Sequence, residues 1–148
     1  MLIYNAEIHT MDSAGAVIKN GWIEIGGGII KGIGEGIPEH ISGDSIDASG
    51  KSIYPGFIDA HTHLGIIENG IDFEGDDCNE ATDPFTPQMR AIDGINPFDR
   101  SFEEARKRGI TAVASSPGSA NACGGEICAI KTNGKCVDDM LIKICGVK

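Results

Sequence analysis

The chain has 148 residues, 41% hydrophobic and 23% charged, so one compact domain with a moderate core is the starting expectation. A net charge of −10 and a pI of about 4.7 argue against nucleic acid as a partner, because phosphates call for Lys and Arg. No apolar run approaches the ~20 residues of a membrane helix. Met1 to Thr10 already mixes Asn, Glu and His with apolar residues, which is unlike a secretory leader. Five cysteines (Cys78, Cys123, Cys128, Cys136 and Cys145) form no Cys-x-x-Cys pair. They read as small apolar fillers rather than a zinc cluster, in a reduced, cytoplasmic protein.

In chain order, Leu2 to Thr10 alternates apolar and polar residues and predicts a strand. Val17 to Ile25 and Ile29 to Ile33 predict two more, joined by a turn at Gly26-Gly27-Gly28. Those glycines do not suit a phosphate loop, since a strand and not a helix follows them. A short strand is expected from Ser45 to Ala48, after the Gly- and Pro-containing stretch 34–43. Residues 1 to 54 thus predict a small antiparallel β layer. His9 and His40 fall in it and read as ordinary surface or core histidines.

The stretch Tyr54-Pro55-Gly56-Phe57-Ile58-Asp59-Ala60-His61-Thr62-His63-Leu64-Gly65 carries the chemistry. It predicts a buried strand, Ile53 to His61, ending in two histidines one residue apart. Alternate residues of a strand share a face, so His61 and His63 project the same way from Cα atoms ~6.5 Å apart. Two such imidazoles can reach one ion, because a Zn–N bond is about 2.0–2.1 Å long. Asp59 lies on the same face, two residues inward. It is either a carboxylate that orients a ligand or a buried, hydrogen-bonded Asp.

A long connection, Gly65 to Arg100, leaves the histidine end of this strand. Its first half carries Glu68, Asp72, Glu74, Asp76, Asp77, Glu80 and Asp83, and a short helix is expected from Gln88 to Ile92. A loop of that length is commonly functional. Ser101-Phe102-Glu103-Glu104 predicts a helix with Ser101 as N-cap and Glu104 closing a capping box, ending at Gly109. Ile110 to Ser115 predicts a second strand, parallel to the first in a βαβ unit. The loop Ser116 to Asn121 should then face the histidine pair. Ser115, Ser116 and Ser119 read as turn residues, since no Gly-x-Ser-x-Gly elbow surrounds them. Asn133-Gly134 between two apolar runs predicts a β-hairpin.

The histidine stretch resembles the signature of the amidohydrolase superfamily, Pro-Gly-Phe-Ile-Asp-x-His-x-His. The likeness extends to Asp47-Ala48-Ser49-Gly50-Lys51 before it and Leu64-Gly65 after it. Residues 70–97 and 117–131 resemble the imidazolonepropionase-related members. The resemblance implies an α/β fold. Residues 1–54 would be part of a small β-sandwich, and 55–148 would be the first βα units of an incomplete (β/α)8 metal-dependent hydrolase barrel. A whole barrel takes about 250 residues, so an N-terminal fragment is expected. In the family, the far C-terminus completes the sandwich, so the β layer is expected to carry unpaired edges.

The resemblance also implies His61 and His63 as ligands of a divalent ion, zinc first, with manganese, cobalt or iron as alternatives. Later strands would supply a carboxylated lysine or glutamate, further histidines and an aspartate, and none of these is assignable in this chain. Lys131, in Ala129-Ile130-Lys131-Thr132, belongs to the expected hairpin and is not taken for that lysine. The implied reaction is hydrolysis of the C–N bond of a small amide, cyclic amide or amidine by a metal-activated water. With two ligands the isolated chain is expected to turn over little or nothing. The alternatives are a non-catalytic metal-binding or interaction module, and one half of a split enzyme, associated with a second copy or a complementing fragment.

Overall fold

A computed structural model describes every residue except Glu39 and Ser42. The chain divides into two units, Met1–Pro55 and Gly56–Lys148.

The first unit is one sheet. β1 (Leu2–His9), β2 (Val17–Gly26) and β3 (Ile29–Glu35) form an antiparallel meander, in the order β3-β2-β1. Gly27 and Gly28 both take positive φ, +61° and +78°, as a two-residue hairpin turn requires. β4 (Ser45–Asp47) and β5 (Ser52–Ile53) then pair with the free side of β1. Both run parallel to it, which corrects the expectation of an all-antiparallel layer. The chain returns to the start of β1, pairing Ser45 with Leu2, and so lays β4 down in the same direction. The stretch 34–43 includes the two undescribed residues. Ala6, Ile8, Ile23 and Ala48 are the buried core of this unit. β5 also takes Ile53 out of the histidine strand, whose predicted span began there.

The second unit has a four-stranded sheet in the order β6-β7-β8-β9. β6 (Phe57–Thr62) is parallel to β7 (Ile110–Ser115), with α2 (Arg100–Lys107) between them in sequence, as a βαβ unit demands. β8 (Glu126–Lys131) and β9 (Leu141–Val147) continue the sheet antiparallel. The core gathers Ile66, Ile92, Ile95, Phe102, Val113, Cys128, Ile130 and Met140 under this sheet.

Four expectations are corrected here. β6 is an edge strand, not a buried one: Phe57 is 58% and Ile58 74% exposed. The cap of α2 is Asp99, whose carboxylate accepts from the backbone N–H of Ser101 at 2.6 Å and from its hydroxyl. Glu104 closes no capping box and pairs with Arg100 one turn back. The helix expected over 88–92 is α1 (Ala91–Gly94).

β8 and β9 pair antiparallel as the expected hairpin, but Asn133-Gly134 makes no two-residue turn between them. Neither residue takes the positive φ that such a turn needs. A helical turn, α3 (Val137–Met140), intervenes before β9. Met140 is buried and packs over Gly134, where a Cβ would lie 2.4 Å from the Met140 Cγ. Burying Met140 outweighs the local turn preference.

Candidate metal centre

β6 delivers the two histidines to the end of the sheet where the chain leaves it. The pairing with β7 slips between Asp59 and Thr62, so β6 carries one extra residue there. Such a bulge re-aims side chains beside it. His61 ends up exposed and His63 half-buried just past the strand. Their ring centroids lie 5.6 Å apart, with the rings nearly perpendicular at 78°.

Each ring has one nitrogen engaged. Nδ1 of His63 lies 2.7 Å from the Ser116 carbonyl. A carbonyl only accepts, so Nδ1 carries the proton and Nε2 of the neutral ring keeps its lone pair. Nε2 of His61 accepts from the Lys148 ammonium at 3.2 Å. That lone pair is therefore already directed at a positive charge. Lys148 is the neighbour that sequence reasoning missed. It follows β9, 87 residues away, with its backbone paired to Gly124 and Gly125 just before β8.

Asp59 is half-exposed, and its carboxylate accepts from the His61 backbone N–H at 3.1 Å. It thus ties to the backbone at His61 rather than filling a sealed floor.

The turn after His63 is made by Gly65 at φ +82°. A Cβ there would meet Phe102 at 2.8 Å and Ile95 at 2.9 Å, so the bare α-carbon seats the turn directly on the core. The Ser115 hydroxyl donates to the Leu64 carbonyl and the Ser116 N–H to the Thr62 carbonyl. The loop after β7 is therefore tied to the histidine segment from both sides. Ser115 is occupied as a structural donor, and Ser119 is exposed in the turn. The Ser116 hydroxyl is buried without a hydrogen-bond partner among the described residues.

The acidic connection is more structured than a solvated loop. Asp76 accepts from the Cys78 N–H, Glu80 from Thr82 and Asp83 from the Phe85 N–H. Glu68 accepts from the Asn96 side chain. Asp76, Glu80 and Asp83 thus build turns, and Glu68 ties the start of the connection to its end. A cavity of about 460 Å³ lies along this connection, walled by residues such as Cys78, Glu80, Met89, Arg90 and Pro117 and not by either histidine.

All five cysteines are free thiols, Cys78 and Cys128 buried and Cys136 and Cys145 exposed. Burial raises the Cys78 thiol, with Asp76 adding to it, and pushes Cys128 to about 11 with help from Cys145. Neither offers a thiolate near neutral pH. Lys131 is exposed at the end of β8, opposite Ala112. Among the described residues no group of three or more His, Cys, Asp and Glu could hold a metal ion. No described helix is long and apolar enough to cross a membrane.

Comparison with known proteins gives this geometry a context. No protein-family model matches the chain. Over 89 residues, 57% of the chain, it is 40% identical to the amidohydrolase tasK of Hapsidospora irregularis, and this covers 9% of that protein. Over 59 residues, 40% of the chain, it is 37% identical to the imidazolonepropionase of Arthrobacter sp. (strain FB24), covering 15% of it. The solved structure of an amidohydrolase from Thermotoga maritima MSB8 superposes with a TM-score of 0.85 at 37% identity, over 99% of this chain and 37% of that one. The chain therefore spans well under half of the proteins it matches. By sequence and by fold it is homologous to the amidohydrolases, over a part of their length.

Proposed function

We propose that this chain contributes the first two ligands of a divalent-metal centre to an amidohydrolase that cleaves the C–N bond of a small amide, cyclic amide or amidine. In this reading, residues 1–54 form part of a β-sandwich and 55–148 the opening βα units of a (β/α)8 hydrolase barrel, in a reducing cytoplasm. The observation that carries it is the histidine pair. His61 and His63 stand ring to ring, with the proton of His63 held at Nδ1 and its Nε2 lone pair left open.

The residues fit the group. Two neutral imidazoles suit zinc, and also manganese, cobalt or iron. His61 already points a lone pair at a cation. An ion bound there would supply Lewis-acid chemistry, polarising the scissile carbonyl and activating water. The protein's own part is preparatory. The Ser116 carbonyl holds the His63 proton, and Asp59 fixes the backbone at His61. Lys148 holds a positive charge at His61 Nε2, which a bound ion would have to replace.

Catalytic zinc normally takes three protein ligands, and the described residues supply two. The chain alone should therefore bind metal weakly and hydrolyse little. The same donor count favours a second reading, that the chain is one part of a site completed by other polypeptide.

Titration calorimetry with Zn²⁺, Mn²⁺ and Co²⁺, beside an assay on amides and hydantoin-like rings, tests the proposal. One ion should bind per chain, and His61→Ala and His63→Ala should abolish it. Wild-type binding that survives both substitutions, or no binding at millimolar ion, would overturn it.

A further inference from the structure

His63 owes its open Nε2 to one acceptor, the carbonyl of Ser116, and that carbonyl sits in a loop that two asparagines hold in place. Residue 117 is proline, so no N–H anchors the peptide immediately after Ser116. The first downstream anchor is the Gly118 N–H, which donates to the Cys78 carbonyl at 2.6 Å. Next, Asn79 Oδ1 accepts from the Ala120 N–H at 3.0 Å. The Asn79 amide also presses on the Gly118 α-carbon so closely that a Cβ there would lie 2.2 Å from its oxygen. Asn121 then reaches back, its Nδ2 donating to the carbonyls of Glu80 at 2.8 Å and Asp83 at 3.0 Å. The two loops are thus pinned together by side-chain amides from each side, within five residues of the Ser116 carbonyl.

We propose that Asn79 and Asn121 are positioning residues for His63: they lock the loop after β7 onto the loop after β6, and so keep the Ser116 carbonyl aimed at Nδ1. Their role in catalysis rests on the reading of His63 as a metal ligand. Their effect on the ring does not. An imidazole with a firmly placed acceptor at Nδ1 is held in the Nδ1–H form. One that loses it relaxes toward the Nε2–H form, whose proton covers the nitrogen that would bind metal. Asn79 acts as an acceptor and Asn121 as a double donor, so the two should respond oppositely to a carboxylate. Aspartate at 79 keeps the acceptor for Ala120. Aspartate at 121 sets a charge against two carbonyls.

The test is the imidazole nitrogen spectrum of His63 in the ¹⁵N-labelled full chain, without metal, above the imidazole titration range. The wild type should show Nδ1 protonated. Asn79→Ala and Asn121→Ala should each lower the Nδ1–H to Nε2–H ratio about tenfold, the scale of one net hydrogen bond. Asn79→Asp should restore it and Asn121→Asp should not. In parallel, Zn²⁺ affinity should fall about 10–100-fold in the alanine variants.

A wild-type ring protonated at Nε2 would overturn the proposal. So would alanine variants whose Gly118 and Ala120 amides shift while the His63 tautomer stays put. Should the alanine variants fail to fold, the two aspartate variants decide, and equal tautomer ratios in both would overturn it. If the wild type binds no zinc yet the tautomer moves as described, the ligand reading fails and the positioning role stands.

Discussion

His9 in the first unit and His63 in the second are both half-buried at or just beyond the end of a strand, and each has one ring nitrogen in a short hydrogen bond. They differ in which nitrogen is used and on what. His9 lies flat on Tyr54, centroids 4.2 Å apart, with Nε2 2.8 Å from a Glu7 carboxylate oxygen. The other Glu7 oxygen accepts from Lys19 at 2.7 Å. The tip nitrogen of His9 is thus committed inside a small charged cluster. His63 commits the nitrogen nearer its backbone to a carbonyl and leaves the tip nitrogen open beside a second imidazole. In a histidine ligand the second nitrogen fixes the tautomer, and under the proposed reading His63 would keep its tip nitrogen for an ion while His9 would not.

The sharpest way to break this contrast is to remove what seats the His63 turn. Phe102 is almost fully buried under Gly65, and Phe102→Ala should cost about 3–5 kcal/mol by denaturant titration. Ile8→Val in the first unit should cost about 0.5–1.5 kcal/mol and leave Zn²⁺ affinity untouched. Equal losses would mean that the histidine segment is not supported by that core. Next in size, His61→Ala or His63→Ala should weaken Zn²⁺ binding at least about 100-fold, the upper end of what a supporting residue alone contributes. His9→Ala should change it less than twofold. A His9 variant that loses zinc to the same degree would erase the comparison.

A smaller effect is expected at Lys148. Replacing it by Met removes the ammonium that competes for His61 Nε2, so Zn²⁺ affinity should rise severalfold, as expected for loss of a modest exposed contact. A fall would instead mark Nζ as a donor to the ion.

The smallest effect belongs to the His9 cluster. Hydrogen bonds from Lys19 and then His9 hold the Glu7 carboxyl below its usual range. A carboxyl lowered on folding stabilises the fold above its unfolded pKa, and that contribution disappears as pH falls through the lowered value. The melting temperatures of wild type and Glu7→Gln should therefore differ slightly at neutral pH and converge in acid. A gap that widens in acid would contradict the assignment.

Much of this arrangement is legible in the residues. Alternation marks β1, β2 and β3, and the triple glycine marks the turn between the last two. The run from Ile110 to Ser115 after a helix ending at Gly109 marks the parallel pair. The spacing of His61 and His63 marks two rings that lie near one another, 5.6 Å apart by their centroids. What failed did so where another residue, near or far in the chain, overrode the expected local pattern. Ser101 looks like a cap, but Asp99 stands two residues earlier, and its carboxylate accepts from Ser101's own N–H and hydroxyl. Asn133-Gly134 looks like a hairpin turn, but Met140 needs burial there. Phe57-Ile58 looks like a core strand, and its exposure follows from being last in the sheet. Asp76, Glu80 and Asp83 in the acidic connection cap turns of their own.

From the sequence alone came the element types, the histidine pair and the kinship with amidohydrolases, because periodicity, turn residues and a contiguous motif are written within a few neighbouring positions. The Ser116 carbonyl at His63, the Lys148 ammonium at His61 and the asparagine clamp between two loops were decided by tertiary structure. Each joins residues about 40 to 90 positions apart. Hydrogen-bond partners at such separations are chosen by how loops and strand ends fold back on one another, which no local pattern encodes.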